Sequence, residues 1–247
     1  MTINSQEELR GMARVGEIVK LALDEMKKEV RAGVTTQQLD DICSGVFDTY
    51  GARSAPQLAY DFPGAACISI NDEAVHGIPK PTRTVESGDL IKLDVAAELD
   101  GFIADAAVTD TAGITSPDNL RLAKCPQSAL LMALSIARAG RRLNLIGKTV
   151  QTEVERQGFN IIPELGGHGV GRAIHEDPFV SNQYNPWDSQ RLNPGLVIAI
   201  EPVISSGSPE AYKAQDGWAI KTSDGAPSAH FEHTVVITHE RPIVLTA

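Results

Sequence analysis

A net charge of −10 spread over 247 residues leaves no basic surface for a phosphate backbone, so sequence-independent nucleic-acid binding is not expected. Hydrophobic residues at 42% and charged residues at 22% are the balance of a soluble globular chain with a large core. The cysteines Cys43, Cys67 and Cys125 are odd in number and widely spaced, which argues against a disulfide framework or a thiolate zinc site. The polar start MTINSQEELRG lacks the apolar stretch of a signal peptide, and no run approaches the roughly 20 apolar residues of a membrane span, so a cytoplasmic, non-membrane protein is expected.

Ser5-Gln6-Glu7-Glu8 is a capping-box pattern, and Met12, Val15, Val19, Leu23, Met26 and Val30 continue it as a helix to about Arg31. Thr35 to Gln38 opens a second helix, with Leu39, Ile42 and Phe47 inward and Gly51 as its stop. The segment ARSAPQLAYDFPGAA reads as loop-rich and leads to a strand over Cys67 to Asn71. Ser116-Pro117 starts a helix that runs to Ala139-Gly140, and a shorter one covers about Lys148 to Gln157. Strands follow at Leu196 to Val203 and Phe231 to Thr238. The spacing from Gly33 to Gly51 equals that from Gly140 to Gly158, and each interval holds a helix that follows a longer one. This suggests one α+β domain, 1–247, built of two related halves of about 1–112 and 116–247.

Ile91 to Asp110 is predicted to form a β-hairpin. Asp100-Gly101 is a two-residue turn signal in which both positions need positive φ, so Leu99 pairs with Phe102. In that register Ile91, Leu93, Val95, Ala97 and Leu99 share an apolar face with Phe102, Ala104, Ala106 and Val108. Asp94 then lies opposite Ala107, and Asp105 is its diagonal neighbour, with Cβ atoms roughly 7–8 Å apart or somewhat less. Two such carboxylates repel unless a cation lies between them; on this stretch alone, two solvated aspartates on a wet face is the simpler reading.

Glu201 stands in VIAIEP, where Pro202 cannot donate to a ladder and so marks a strand end or edge. Glu232 stands in HFEHT, His168 among the glycines of GGHGVG, and His175 in IHEDP. Singly, each glutamate reads as an edge residue facing water, and His168 as a structural residue in a glycine turn. Together, Asp94, Asp105, His168, Glu201 and Glu232 form a hard, oxygen-rich donor set suited to divalent transition metals.

The stretches CISINDEAVHGIP, IKLDVAAELDGFIAD, GGHGVGRAIHEDP, VIAIEP and AHFEHTVVIT, spanning Cys67 to Thr238, resemble the methionine aminopeptidases. The likeness is to type I, since no long insertion separates His175 from Glu201 and no zinc-finger extension is present. The resemblance implies a pita-bread (creatinase/aminopeptidase-like) fold, with two pseudo-symmetric halves whose antiparallel sheets are covered by helices. It implies a dinuclear metallo-exopeptidase that removes the N-terminal methionine from nascent proteins and peptides with a small second residue. Two divalent ions (Co, Mn, Fe, Zn or Ni) would be held: the first by Asp94, both by Asp105 and Glu232, the second by His168 and Glu201. Glu201 would also relay the proton of the attacking water. His76 would contact the substrate amide and His175 the carbonyl oxygen. Tyr60, Phe62, Cys67 and Trp218, with Ile174, would line the methionine pocket. A nascent-chain or peptide N-terminus is the implied partner, with transient ribosome contact and a monomeric enzyme.

Three departures from the family pattern stand out. Ile103-Ala104 replaces a usual His-Gly pair, Ile174 stands where an aromatic is common, and the loop LAYDFPGAA is one residue short. The first is expected to alter packing without loss of activity and the second to widen the pocket, and the third bears on whether Tyr60 belongs to it. The competing readings are an Xaa-Pro aminopeptidase or prolidase, which usually carries a further N-terminal domain, and a metal-free peptide-binding relative, which typically loses ligands.

Overall fold

The computed structural model describes residues 1–247. Its first half holds helices α1 (Gln6–Lys28), α2 (Thr36–Tyr50) and α3 (Ala55–Tyr60) and strands β1 (Arg53–Ser54), β2 (Cys67–Ile70), β3 (Glu73–Val75), β4 (Leu90–Leu99) and β5 (Phe102–Thr111). The second half opens with α4 (Pro117–Ile136) and α5 (Asn144–Arg156), then β6 (Asn160–Ile161), β7 (Gly167–Gly169), β8 (Glu176–Val180) and β9 (Val197–Ile200). It ends with β10 (Val203–Ser205), β11 (Ala211–Lys213), β12 (Ile220–Thr222), β13 (Ser228–His230), β14 (His233–Val236) and β15 (Ile243–Val244). Every strand pair is antiparallel.

The first two helices start at side-chain caps. The Ser5 hydroxyl accepts from Glu8 N at 3.1 Å, and Thr35 and Gln38 cap each other reciprocally. Gly51 ends α2 at φ 70°, a left-handed conformation that costs glycine nothing. Met12, Val15, Val19, Leu23 and Met26 of α1 are buried in one core with Leu39 and Phe47 of α2 and the apolar hairpin face. Leu122 and Leu130 of α4 and Ile146 and Val150 of α5 form a second core with Ile198, Ile200 and Val235. The sheet of β1, β2, β4 and β5 is thus covered by α1 and α2, and the sheet β15-β14-β9-β7-β8 packs against α4 and α5, while β3 joins the second half by pairing with β12.

The hairpin has the expected register: Leu99 pairs with Phe102 and Asp94 with Ala107, around Asp100 and Gly101 at φ 52° and 79°. Its outer strand is joined to the second half by a seam. Glu232 N donates to Ala107 O at 2.8 Å, and Ala107 N returns a bond to Glu232 O at 3.4 Å. On one side the Thr234 hydroxyl accepts from Asp105 N at 2.9 Å and donates to Asp105 O at 2.7 Å. On the other the Thr109 hydroxyl accepts from His230 N at 2.8 Å and donates to His230 O at 2.7 Å. The pattern is two-fold about the Ala107–Glu232 pair and relates Asp105 in one half to His230 in the other. Close by, the fully buried Lys92 amine donates to Asn71 O at 2.7 Å and Ser228 O at 3.3 Å, one acceptor from each half.

Several boundaries differ from the sequence expectation. ARSAPQLAYDFPGAA is not all loop: Ser54 caps α3, with Pro56 in its first turn. The run Leu196 to Val203 splits into β9 and β10 around Glu201-Pro202, because Pro202 brings no N–H to the ladder. Within Phe231 to Thr238, only His233–Val236 is strand. Helix α1 ends at Lys28 instead of Arg31, α4 ends at Ile136, and α5 begins at Asn144 instead of Lys148. No helix is long and apolar enough to cross a membrane.

Candidate active site

Neighbouring strands each contribute one donor. Asp94 comes from β4, Asp105 from β5, Glu232 from the link between β13 and β14, Glu201 from the end of β9, and His168 from β7. The seam joins β5 to the β13–β14 run, β14 pairs with β9, and β9 with β7, so the donors form a row across the sheets. Glu201 and Glu232 face each other where the ladder opens. Ile200 pairs with His233 on one side of the gap and Val203 with His230 on the other. Asn182 holds the Glu201 carbonyl with a 2.9 Å bond. Both glutamates are buried, so the edge-facing-water reading of each is corrected.

His168 is also corrected, from a turn to a strand. A Cβ at Gly167 would collide with Ala199 O, and one at Gly169 with Asp177 O. Glycine is needed there for close strand approach and not for positive φ. The ring lies with Nδ1 2.9 Å from Gly169 O and Nε2 3.5 Å from Glu201 Oε1.

The electrostatics follow from burial. Burial and then the charges of Asp94 and Glu201 push Asp105 well above the usual carboxylate range. Burial followed by Asp105, Glu201 and Asp94 does the same to Glu232, and burial with Asp94 to Glu201. Asp94 is raised by burial and pulled back by His230. Burial, then His175, lowers His168 to about 4, leaving the neutral imidazole that a metal requires. Asp105 Oδ1 and Glu232 Oε1 are buried without a hydrogen-bond partner. Converging buried acceptors are costly unless a cation takes them up, so the donor set fits divalent metal ions. Asp105, His168 and Glu232 bring one donor atom each within 4.8 Å of one another, and so do Glu201, His230 and Glu232.

His230 was not singled out from the sequence. A signal existed: it lies two residues before Glu232, so in extended chain both side chains point the same way.

His76 sits just past β3 at φ 60°, a left-handed conformation strained for a residue with a Cβ. Burial, then His230 and Lys213, lowers its pKa to about 4. The Tyr60 hydroxyl lies 2.6 Å from His175 Nδ1, and the His168 and His175 rings pack 4.3 Å apart. These histidines share an open cleft of about 530 Å³ with Asp94, Asp105, His168, Glu201 and Glu232. Leading off it is a smaller, mostly apolar cavity of about 80 Å³ walled by Tyr60, Phe62, Cys67, Ile174 and Trp218. Phe62 and Trp218 meet edge to face at 5.1 Å, and the Trp218 turn is tied by Asp216 to Trp218 N and Ala219 N. All the site residues named from the sequence therefore meet in one place. Ile103 and Ala104 lie in the first core, away from both cavities.

Residues 10–239 match the model of metallopeptidase family M24. The chain is 42% identical over 247 residues to methionine aminopeptidase 2 of Bacillus subtilis (strain 168), covering 100% of this chain and 99% of that protein. A crystal structure of methionine aminopeptidase from Thermotoga maritima superposes with a TM-score of 0.96 at 34% identity, covering 100% and 99% of the two chains. A prolidase from Pyrococcus furiosus, at 22% identity and a TM-score of 0.78, shares the fold alone; this chain spans 65% of it.

Proposed function

The chain belongs to metallopeptidase family M24 and within it to the methionine aminopeptidases, and from that premise we propose how its cleft removes an N-terminal methionine. The substrate would be a peptide or nascent chain in the cytoplasm whose second residue is small. Asp94, Asp105, His168, Glu201 and Glu232 would hold two divalent ions, with Asp105 and Glu232 shared between them. The observation that carries this reading is the row of converging donors, two with buried unpartnered oxygens, beside a mostly apolar cavity.

Bound cations would supply Lewis acidity and a nucleophile available at neutral pH. The chain's own groups would do the rest. Glu201, buried at the end of its strand beside the other donors, would take and return the proton of the attacking water. His76, neutral through burial, can donate one hydrogen bond to the substrate amide. Tyr60 occupies Nδ1 of His175, which leaves Nε2 for the carbonyl oxygen as charge develops there. A methionine side chain buried against Phe62 and Trp218 gains about 1.5–3 kcal/mol over exposure, and thioether–aromatic contacts add to it. His76 and its loop would crowd a bulky second side chain.

Competition kinetics by mass spectrometry on Met-Ala, Met-Leu, Leu-Ala and Met-Pro tripeptides, with metal-loaded and chelated protein, test this. Met-Ala should be cleaved fastest and only with metal. Equal cleavage of Met-Leu would refute the crowding argument. Equal cleavage of Leu-Ala would refute the pocket, and full turnover in metal-free protein would refute the metal centre.

A further inference from the structure

We infer that His230 is an additional nitrogen donor of the metal centre, bound beside Glu201 and Glu232. The inference rests on the proposed centre and adds to its donor set. His230 is 1% exposed, and neither ring nitrogen has a hydrogen-bond partner. Native proteins seldom leave a buried polar side chain in that state without a ligand or ion to meet it. Its Nε2 lies 3.3 Å from Glu201 Oε2 and 3.6 Å from Glu232 Oε2, yet makes a hydrogen bond to neither. Donors that share one transition-metal ion at about 2.0–2.2 Å stand roughly 3–3.6 Å from each other. The His168–Glu201 separation of 3.5 Å falls in the same interval.

The backbone aims the ring. The Thr109 hydroxyl holds both His230 N and His230 O, so the residue cannot swing away without breaking two buried bonds. The two-fold pattern of the seam places His230 in one half where Asp105 stands in the other. Asp105 is itself a proposed ligand, so the geometry sets a donor at both symmetry-related positions.

Proton NMR of the Co²⁺-loaded protein counts coordinated histidines directly, because each contributes one solvent-exchangeable N–H resonance shifted far outside the normal range. Two such resonances are expected in the unaltered protein. One should vanish in His230→Gln and the other in His168→Gln. Titration calorimetry with Co²⁺ should show affinity reduced by about ten- to a hundred-fold or more in His230→Gln. A single shifted resonance, lost in His168→Gln and retained in His230→Gln with unchanged affinity, overturns the inference and leaves the proposed centre standing. No shifted resonance at saturating Co²⁺ overturns both. The count in the unaltered protein needs no variant, so it holds even if a substitution prevents folding; His230→Asn, smaller than the glutamine variant, provides a second check.

Discussion

Replacing Thr234 by valine isolates what the seam contributes. Valine keeps nearly the same shape and removes only the hydroxyl. That hydroxyl is the partner of both Asp105 N, at 2.9 Å, and Asp105 O, at 2.7 Å, and Thr234 is fully buried. Each buried backbone group left unpaired costs about 1–3 kcal/mol, so the substitution should cost about 2–6 kcal/mol. A domain's whole stability is roughly 5–15 kcal/mol, so the loss would be plain in urea denaturation of the metal-free protein. Thr234→Ser is the control: it keeps both bonds and loses one methyl, which costs about 1 kcal/mol. The valine variant should also bind metal more weakly, because Asp105 loses the contact that fixes its backbone. If Thr234→Val is as stable as the unaltered chain, or more stable than Thr234→Ser, the seam does not carry the load assigned to it.

Asp105→Asn and Glu232→Gln should each abolish most activity while the metal-free protein unfolds at or above the unaltered temperature, since each removes one of several mutually repelling buried charges; calorimetry beside kcat at matched metal content tests this. His76→Ala should lower kcat by roughly 10²–10⁴-fold with metal content intact, and loss of bound metal would make His76 a ligand instead. Glu153 is held at a pKa of about 2 by Arg156 first, with Gln157 and Ser128 also bonded to it. Its folded pKa lies below its unfolded one. The stability it contributes is therefore complete above about pH 4.5 and drains away as pH falls toward 2. The stability gap between the unaltered chain and Glu153→Gln should narrow over that range, and a constant gap would contradict the assignment.

Much of the site was legible because its signals are local. Asp100-Gly101 sets the turn, the period of two then sets the faces, and together they place Asp94 and Asp105 as diagonal neighbours without knowledge of the fold. The glutamates were legible as residue types and as family motifs, but their burial was not. Whether Glu201 faces water depends on what its strand meets, and that partner, Glu232, lies far along the chain. His230 was missed for the same reason: Thr109 aims it, and nothing near His230 announces Thr109. The α3 helix is masked by Pro56, Pro63 and Gly64, residues that favour loops, although Ser54 before Ala55-Pro56 is a sound helix start. The Gly-His-Gly stretch reads locally as a turn, whereas its glycines serve strand proximity.

The buried Lys92 amine bears on how the molecule comes apart. Asn71 O accepts from Lys92 Nζ, and also from the backbone and hydroxyl of Ser228 at 2.9 Å each. The two halves contribute mainly to separate cores, although Val170, Val197 and Val236 of the second half pack in the first core, and on that ground alone could melt at their own temperatures. Separating them would strip this amine of both acceptors, break the Ala107–Glu232 pair, and leave both threonine hydroxyls unmatched. Partial unfolding along the boundary therefore has no cheap intermediate, and the two cores are expected to lose structure in a single cooperative calorimetric transition despite their separate packing.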